Sequence, residues 1–204
     1  MRAAVLTAAL VASLAALLAW DWHLAARAVE EDGPIEWIQV ALLAACALLS
    51  LRGSLAADAE RRAPDVILAL LFIGIALGEA DVDGRLFGTH LMKTRFFMSQ
   101  RIWWGYKVAW GVILAAGVLA LLAYTLRHRR EILVTARRLA AEAWGRLFLA
   151  GALVFAAAQL LERPLLTAFG FPPNFLEEVL ELIAAIYFFF GMLERSRPTR
   201  EPPG

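Results

Sequence analysis

Six apolar runs restrict this chain more than any other feature: Ala3 to Trp20, Pro34 to Leu51, Pro64 to Glu79, Lys107 to Leu126, Leu147 to Leu161 and Leu176 to Leu193. Each is apolar or nearly so over about 15–20 positions, too long for a strand and suited to a helix that crosses a bilayer. A soluble domain is about half apolar and a quarter charged; this chain of 204 residues is 61% hydrophobic and 19% charged. The expected fold is all-α, a polytopic membrane bundle of about six transmembrane helices with no sheet. A span needs about 20 residues at a rise of about 1.5 Å each. That count places the helices at about 3–20, 34–51, 64–83, 107–126, 147–165 and 175–193, in one domain over about 1–194. The remaining 195–204, rich in Arg and Pro, is expected to be a disordered cytoplasmic tail.

The first run has a second reading as a cleaved signal peptide, because Arg2 precedes it and Ala26-Arg27-Ala28 offers a small-x-small site. The run is longer than a usual signal core, and Trp20, Asp21 and Trp22 separate it from that site. Retention as a spanning helix is the expectation.

Orientation follows from the cations, because cytoplasmic loops carry an excess of Lys and Arg. With the N-terminus inside, Arg2, Arg52, Arg61, Arg62, Arg127, Arg129, Arg130, Arg137, Arg138, Arg146, Arg195, Arg197 and Arg200 are cytoplasmic. Only Arg27, Arg85, Lys93, Arg95, Arg101, Lys107 and Arg163 lie outside, so both termini are expected in the cytoplasm. In the 127–146 loop, Leu133, Leu139 and Trp144 suggest a helix lying on the inner surface. Trp20, Trp22, Trp37, Trp103, Trp104 and Trp110 fall at the outer level and read as an aromatic belt.

The acids gather on that same outer side. Counting back from the cytoplasmic helix ends leaves Glu36 roughly 6 Å below the outer boundary and Glu79 roughly 7 Å below it. Glu162 falls a few ångströms inside, and Glu181 roughly 10 Å inside. An ionisable side chain at such depth is costly and must face the bundle interior, water or a partner. The candidate binding residues are therefore Glu36, Glu79, Glu162 and Glu181, with Arg85 as the nearest counter-charge to Glu79. Glu177 and Glu178 also suit a helix N-terminus, with Asn174 as N-cap of a capping box. Asp81 and Asp83 read as a solvated rim, and Glu30, Glu31 and Asp32 as a wet loop ending in the Asp32-Gly33-Pro34 turn.

Several classes of chemistry are absent. No basic block interleaved with aromatics suggests nucleic acid, and no nucleophile, metalloprotease or phosphate-loop motif is found. The single cysteine, Cys46, excludes an intrachain disulfide, a Cys-based zinc site and a redox motif. Inside an apolar run it reads as a small buried hydrophobe. No catalytic residue is assigned. A divalent metal is the one cofactor considered, with Glu79, Glu181 and His90 as candidate ligands.

Two stretches resemble motifs of a loose group of uncharacterised multi-pass bacterial membrane proteins. Glu31-Asp32-Gly33-Pro34-Ile35-Glu36-Trp37 matches an acidic Glu-Asp-x-x-x-Glu-Trp start to a helix. Gly78-Glu79 and Gly84-Arg85-Leu86-Phe87-Gly88 match the ends of a Gly-Glu-Glu-x-x-Trp-Gly-Gln-Arg-x-Phe-Gly motif, whose central Trp and Gln are missing here and whose spacing is one residue shorter. The resemblance implies the bacterial inner (plasma) membrane and no activity, and it points at Glu36, Glu79 and Arg85.

The leading expectation is a non-enzymatic integral membrane protein whose outward-facing acidic pocket binds or moves a cation, proton or small basic solute. Its partners are then the lipid bilayer and a small cation or lipid head group, and not nucleic acid. Two alternatives stand beside it: a metal-assisted membrane hydrolase acting on lipid, and a scaffold or accessory subunit whose charges only set helix pairing.

Overall fold

The computed structural model of the chain describes residues 2–28, 33–56, 59–80, 82, 102–139, 141–161 and 175–196. All regular structure among them is helical, and no strand occurs among the described residues. In chain order the helices are α1 (Arg2–Trp20), α2 (Trp22–Ala28), α3 (Pro34–Ala56), α4 (Ala59–Glu79), α5 (Trp104–Arg127), α6 (Arg129–Leu139), α7 (Ala143–Leu161) and α8 (Phe175–Ser196). Among the described residues three stretches are long and apolar enough to cross a membrane: Pro34–Ala56, Trp104–Arg127 and Ala143–Leu160. Helices α4 and α8 are as long, with 21 and 22 residues, but carry charge at both ends.

Local chemistry explains several boundaries. The Asp21 carboxylate accepts the Leu24 N–H at 3.1 Å and so caps α2. Pro34 opens α3 at the one position where a missing N–H leaves no bond unmade. Pro64 was expected to do the same for the third spanning helix. Instead α4 starts at Ala59 and holds Pro64 inside it, where the missing N–H leaves one intrahelical bond unmade. The described helix ends at Glu79 with a turn at Ala80, so the expected continuation through Asp81 and Asp83 lies outside the described residues. At the other end of the chain, α8 runs on to Ser196. Arg195, expected to begin a disordered tail, is instead helical and tied to α4, as described below.

Helix α8 is the axis of the bundle. It packs against α7 and α3, α3 packs against α4, and α1 touches α8 from another side. Five consecutive residues of α8, Leu182 to Ile186, are buried, the signature of a helix enclosed by protein on all sides rather than on one face. Small residues allow the close approach, as in membrane helix pairs generally. A Cβ at Gly191 would stand 2.6 Å from Cδ2 of Phe148, and one at Gly151 would stand 3.2 Å from the Ala184 carbonyl oxygen. Between them Phe72, Phe148 and Phe188 form a ring triangle with centroid separations of 5.8, 5.6 and 5.6 Å.

Trp144, expected in an interfacial helix, is buried in α7 and packs edge-on against Phe148 at 5.9 Å. The amphipathic helix of that loop is the shorter α6, where Leu139 faces the core and Leu133 is exposed. Helix α5 has no buried residue, and its packing is against α6. Cys46 is fully buried beside Phe72 and Phe188 in the same apolar layer. Its thiol is therefore expected to react with a maleimide at least about 100-fold more slowly than a free thiol until the bundle opens. Alkylation followed by mass spectrometry, with and without denaturing detergent, checks this.

Candidate functional site

The buried stripe of α3 contains Glu36, Gln39, Leu43, Cys46, Ala47, Ser50 and Ser54. It is polar at both ends and apolar in the middle. The inward face of α4 repeats the pattern, with Asp65 buried near its start, Phe72 in the middle and Glu79 at its end. Helix α8 does so again, from Glu181 through Ile186 and Phe188 to Arg195. In each helix the two polar levels are about fourteen residues apart, or about 21 Å. The bundle thus has two internal polar layers separated by an aromatic and aliphatic one.

The first layer is acidic. Glu79 of α4 interacts electrostatically with Glu36 of α3 and with Glu177 of α8. Glu181 of α8 interacts with Glu79 as well as with its own neighbours Glu178 and Glu177, and Glu178 in turn with Glu79 and Glu36. Glu79 and Glu178 thus each interact with acids of both other helices. Glu36 and Glu181 are 8% and 7% exposed, so these charges are shielded from bulk water and their mutual repulsion is little screened.

Two carboxamides complete the layer. Gln159 of α7 donates from Nε2 to Glu181 Oε1 at 2.7 Å. Gln39 of α3 donates from Nε2 to the Glu178 carbonyl oxygen at 2.8 Å and to its carboxylate Oε2 at 3.3 Å. These donors hold the Glu181 and Glu178 carboxylates in place. Of the sequence candidates, Glu36, Glu79 and Glu181 are brought together, while Glu162, Arg85 and His90 lie outside the described residues. Glu177 and Glu178 do sit in the first turn of α8, and Glu178 also enters the layer through Gln39. Among the described residues no group of three or more His, Cys, Asp or Glu is placed to hold a metal ion.

The chain matches no known family model, no curated protein and no solved structure.

The second layer holds a buried ion pair. Arg195 Nη2 of α8 lies 2.5 Å from Asp65 Oδ1 of α4, and the guanidinium carbon stands 4.6 Å over the Trp144 ring of α7. Three helices meet in this one contact. Gly53 of α3 completes the fit, because a Cβ there would stand 2.9 Å from Asp65 Oδ2. Ser54 donates back to the Leu51 carbonyl at 2.8 Å, and Ser50 to the Met192 sulfur at 3.6 Å. The buried acid of this layer, Asp65, has a cation beside it, so the layer reads as a clasp rather than a binding site.

Sequence reasoning missed Gln39, Gln159 and the Asp65–Arg195 pair. The signal for the glutamines was available: a carboxamide within an apolar run, with Gln39 three residues after Glu36 and so on the same helix face. Asp65 and Arg195 gave no such signal, because each stands at the edge of an apolar run where charge is ordinary.

Proposed function

We propose that this chain is an integral membrane protein that binds or moves a small cation, a proton or a small basic solute in the acidic layer between α3, α4, α7 and α8. In this reading six helices span: α1, α3, α4, α5, α7 and α8. Both termini are cytoplasmic, and the acidic layer opens to the outer face. The Arg-rich α6 and the segment around it support that orientation, as do the exposed tryptophans Trp20, Trp37, Trp103 and Trp104 at the opposite helix ends. The two polar layers, about 21 Å apart, would both fall within a hydrocarbon slab of about 30 Å.

One observation carries the reading: carboxylates from three separate helices converge at one end of the bundle, with Glu79 coupled to both other helices. Like charges gathered away from water repel, and a bound proton or cation relieves the repulsion.

The test is thermal unfolding of the purified protein in detergent, with and without added cations, comparing wild type with Glu79→Gln and with Glu79→Gln/Glu181→Gln. The wild type is expected to be stabilised by several degrees on adding a cation that fits. The variants are expected to start more stable by about 1 kcal/mol and to lose the response. If every single Gln variant is instead markedly destabilised, and wild type and variants respond alike to cations, the acids are structural. Sidedness is checked in a Cys46→Ala background: Trp103→Cys should label from outside the cell, and Arg130→Cys only after permeabilisation.

A further inference from the structure

Helix α6 carries apolar residues on two opposite faces. Ile132, Thr135 and Leu139, spaced i, i+3 and i+7, are partly buried, and Leu139 packs against the core. The helix rests on α4 and α7. A Cβ at Gly145 would collide with the Leu139 carbonyl, so the end of α6 lies directly against the start of α7 and is held in this roll. The opposite face is Arg130, Leu133, Val134 and Arg137, spaced i, i+3, i+4 and i+7. All four are exposed, Leu133 at 56% and Val134 at 40%. A helix that met only water on this side would carry polar residues there. Arg127, Arg129 and Arg146 are exposed as well, and among the described residues no ion pair reaches any of these arginines. Glu131, the only acid in α6, is held by His128 at 2.9 Å.

We infer that this outward face of α6 is a docking surface for the anionic phospholipids of the cytoplasmic leaflet. The inference rests on the membrane reading and orientation proposed above, and not on the acidic layer. The chain itself sets the position: α5, read as a spanning helix, ends at Arg127, and His128 alone separates it from α6. Helix α6 therefore begins at the level where α5 leaves the hydrocarbon. A helix lying there sinks its apolar residues into the boundary between head groups and acyl chains. Leu133 and Val134 supply those residues. Arg130 and Arg137 flank them, about 10 Å apart along the helix axis. Their guanidiniums stand on long apolar stems and suit the bidentate capture of phosphate oxygens at head-group level. A zwitterionic head group brings its own cation to the same place, so the arginines gain more from an anionic one. A small soluble anion would answer the arginines but leave Leu133 and Val134 in water.

Native mass spectrometry of the full-length protein in maltoside detergent tests this. Dioleoyl phosphatidylglycerol and dioleoyl phosphatidylcholine are titrated separately at matched ionic strength. Wild type is expected to bind phosphatidylglycerol at least about 10-fold more tightly. Arg130→Gln/Arg137→Gln should lose about 5-fold in phosphatidylglycerol affinity for each arginine and leave phosphatidylcholine binding unchanged. Leu133→Ser/Val134→Ser should weaken both lipids several-fold. Arg52→Gln removes one exposed arginine from α3 and should change either affinity by less than about 2-fold, because charges beyond a Debye length are screened. If the double arginine variant does not fold, Arg130→Gln and Arg137→Gln singly, each expected to lose about 5-fold, decide. Equal affinity for the two lipids overturns the inference and leaves the membrane reading standing. So does a loss in Arg52→Gln as large as that in Arg130→Gln, or full phosphatidylglycerol affinity in Leu133→Ser/Val134→Ser. Complete displacement of phosphatidylglycerol by inorganic phosphate would assign the arginines to a soluble anion and overturns it likewise. Recovery of the chain from the soluble fraction of cells without detergent overturns both readings.

Discussion

Arg195→Ala is expected to destabilise the bundle by about 3–5 kcal/mol, the range for breaking a buried ion pair by removing one partner. The two side chains are only 11% and 6% exposed, so Asp65 would be left as a charge with little access to water. The substitution also removes the cation over the Trp144 ring, a contact between α8 and α7 that the Asp65 bond does not make. Asp65→Ala should lose a similar amount for the converse reason. The double variant Asp65→Leu/Arg195→Met should recover most of the loss, because apolar residues of similar volume often replace a buried pair without penalty. Unfolding in mixed micelles by a denaturing detergent, followed by tryptophan fluorescence, measures all three. A loss below about 1 kcal/mol for Arg195→Ala would mean that the pair behaves as a solvated surface bridge and does not clasp the helices.

The second large effect is expected in the layer between the two polar ones. Phe72→Ala should destabilise by about 3 kcal/mol, the lower end of the range for a buried Phe in soluble cores. The lower end applies in the proposed membrane setting, where helices gain little from withdrawing apolar surface from water and the loss is mainly of packing contacts. Those contacts are specific: Phe72 is fully buried and its ring meets both Phe148 and Phe188. Phe72→Leu, which keeps much of the volume, should lose about 1 kcal/mol. Neither change touches the acidic layer, so the response to added cation should persist in both. That separates a packing defect from a binding defect, and equal loss of the response in Phe72→Ala and Glu79→Gln would show that the two layers are not independent.

Much of the acidic layer was legible without coordinates. Glu36, Glu79, Glu162 and Glu181 were singled out by counting helix turns from the expected cytoplasmic ends; Glu162 lies outside the described residues, and the structure brings the other three to one end of the bundle. Counting works there because helix rise is constant and a carboxylate inside an apolar run has few places to go. It failed at Pro64, where the expected helix start proved to be helix interior. It also failed at Trp144, assigned to a surface helix and found stacked beneath Arg195. Both errors have one cause. A residue at the margin of an apolar run has a neighbourhood set by other helices, and its own sequence window contains none of them.

Composition and periodicity by themselves determined that the described regions are helical, where their apolar stretches fall, and that Glu36 and Glu181 stand within apolar helices. Those properties are local, set by backbone hydrogen bonding and by the hydropathy of consecutive residues. Only the tertiary structure decided that α8 is the enclosed axis and that Gln39 reaches across to Glu178. It alone showed that Asp65 and Arg195, 130 positions apart in sequence, answer each other's charge. Runs of Leu, Ala and Val are nearly interchangeable in their attraction for lipid and for each other. Which faces meet is settled by small residues such as Gly151 and Gly191 and by a few buried polar groups. Those choices are pairwise, and they appear only once the helices are side by side.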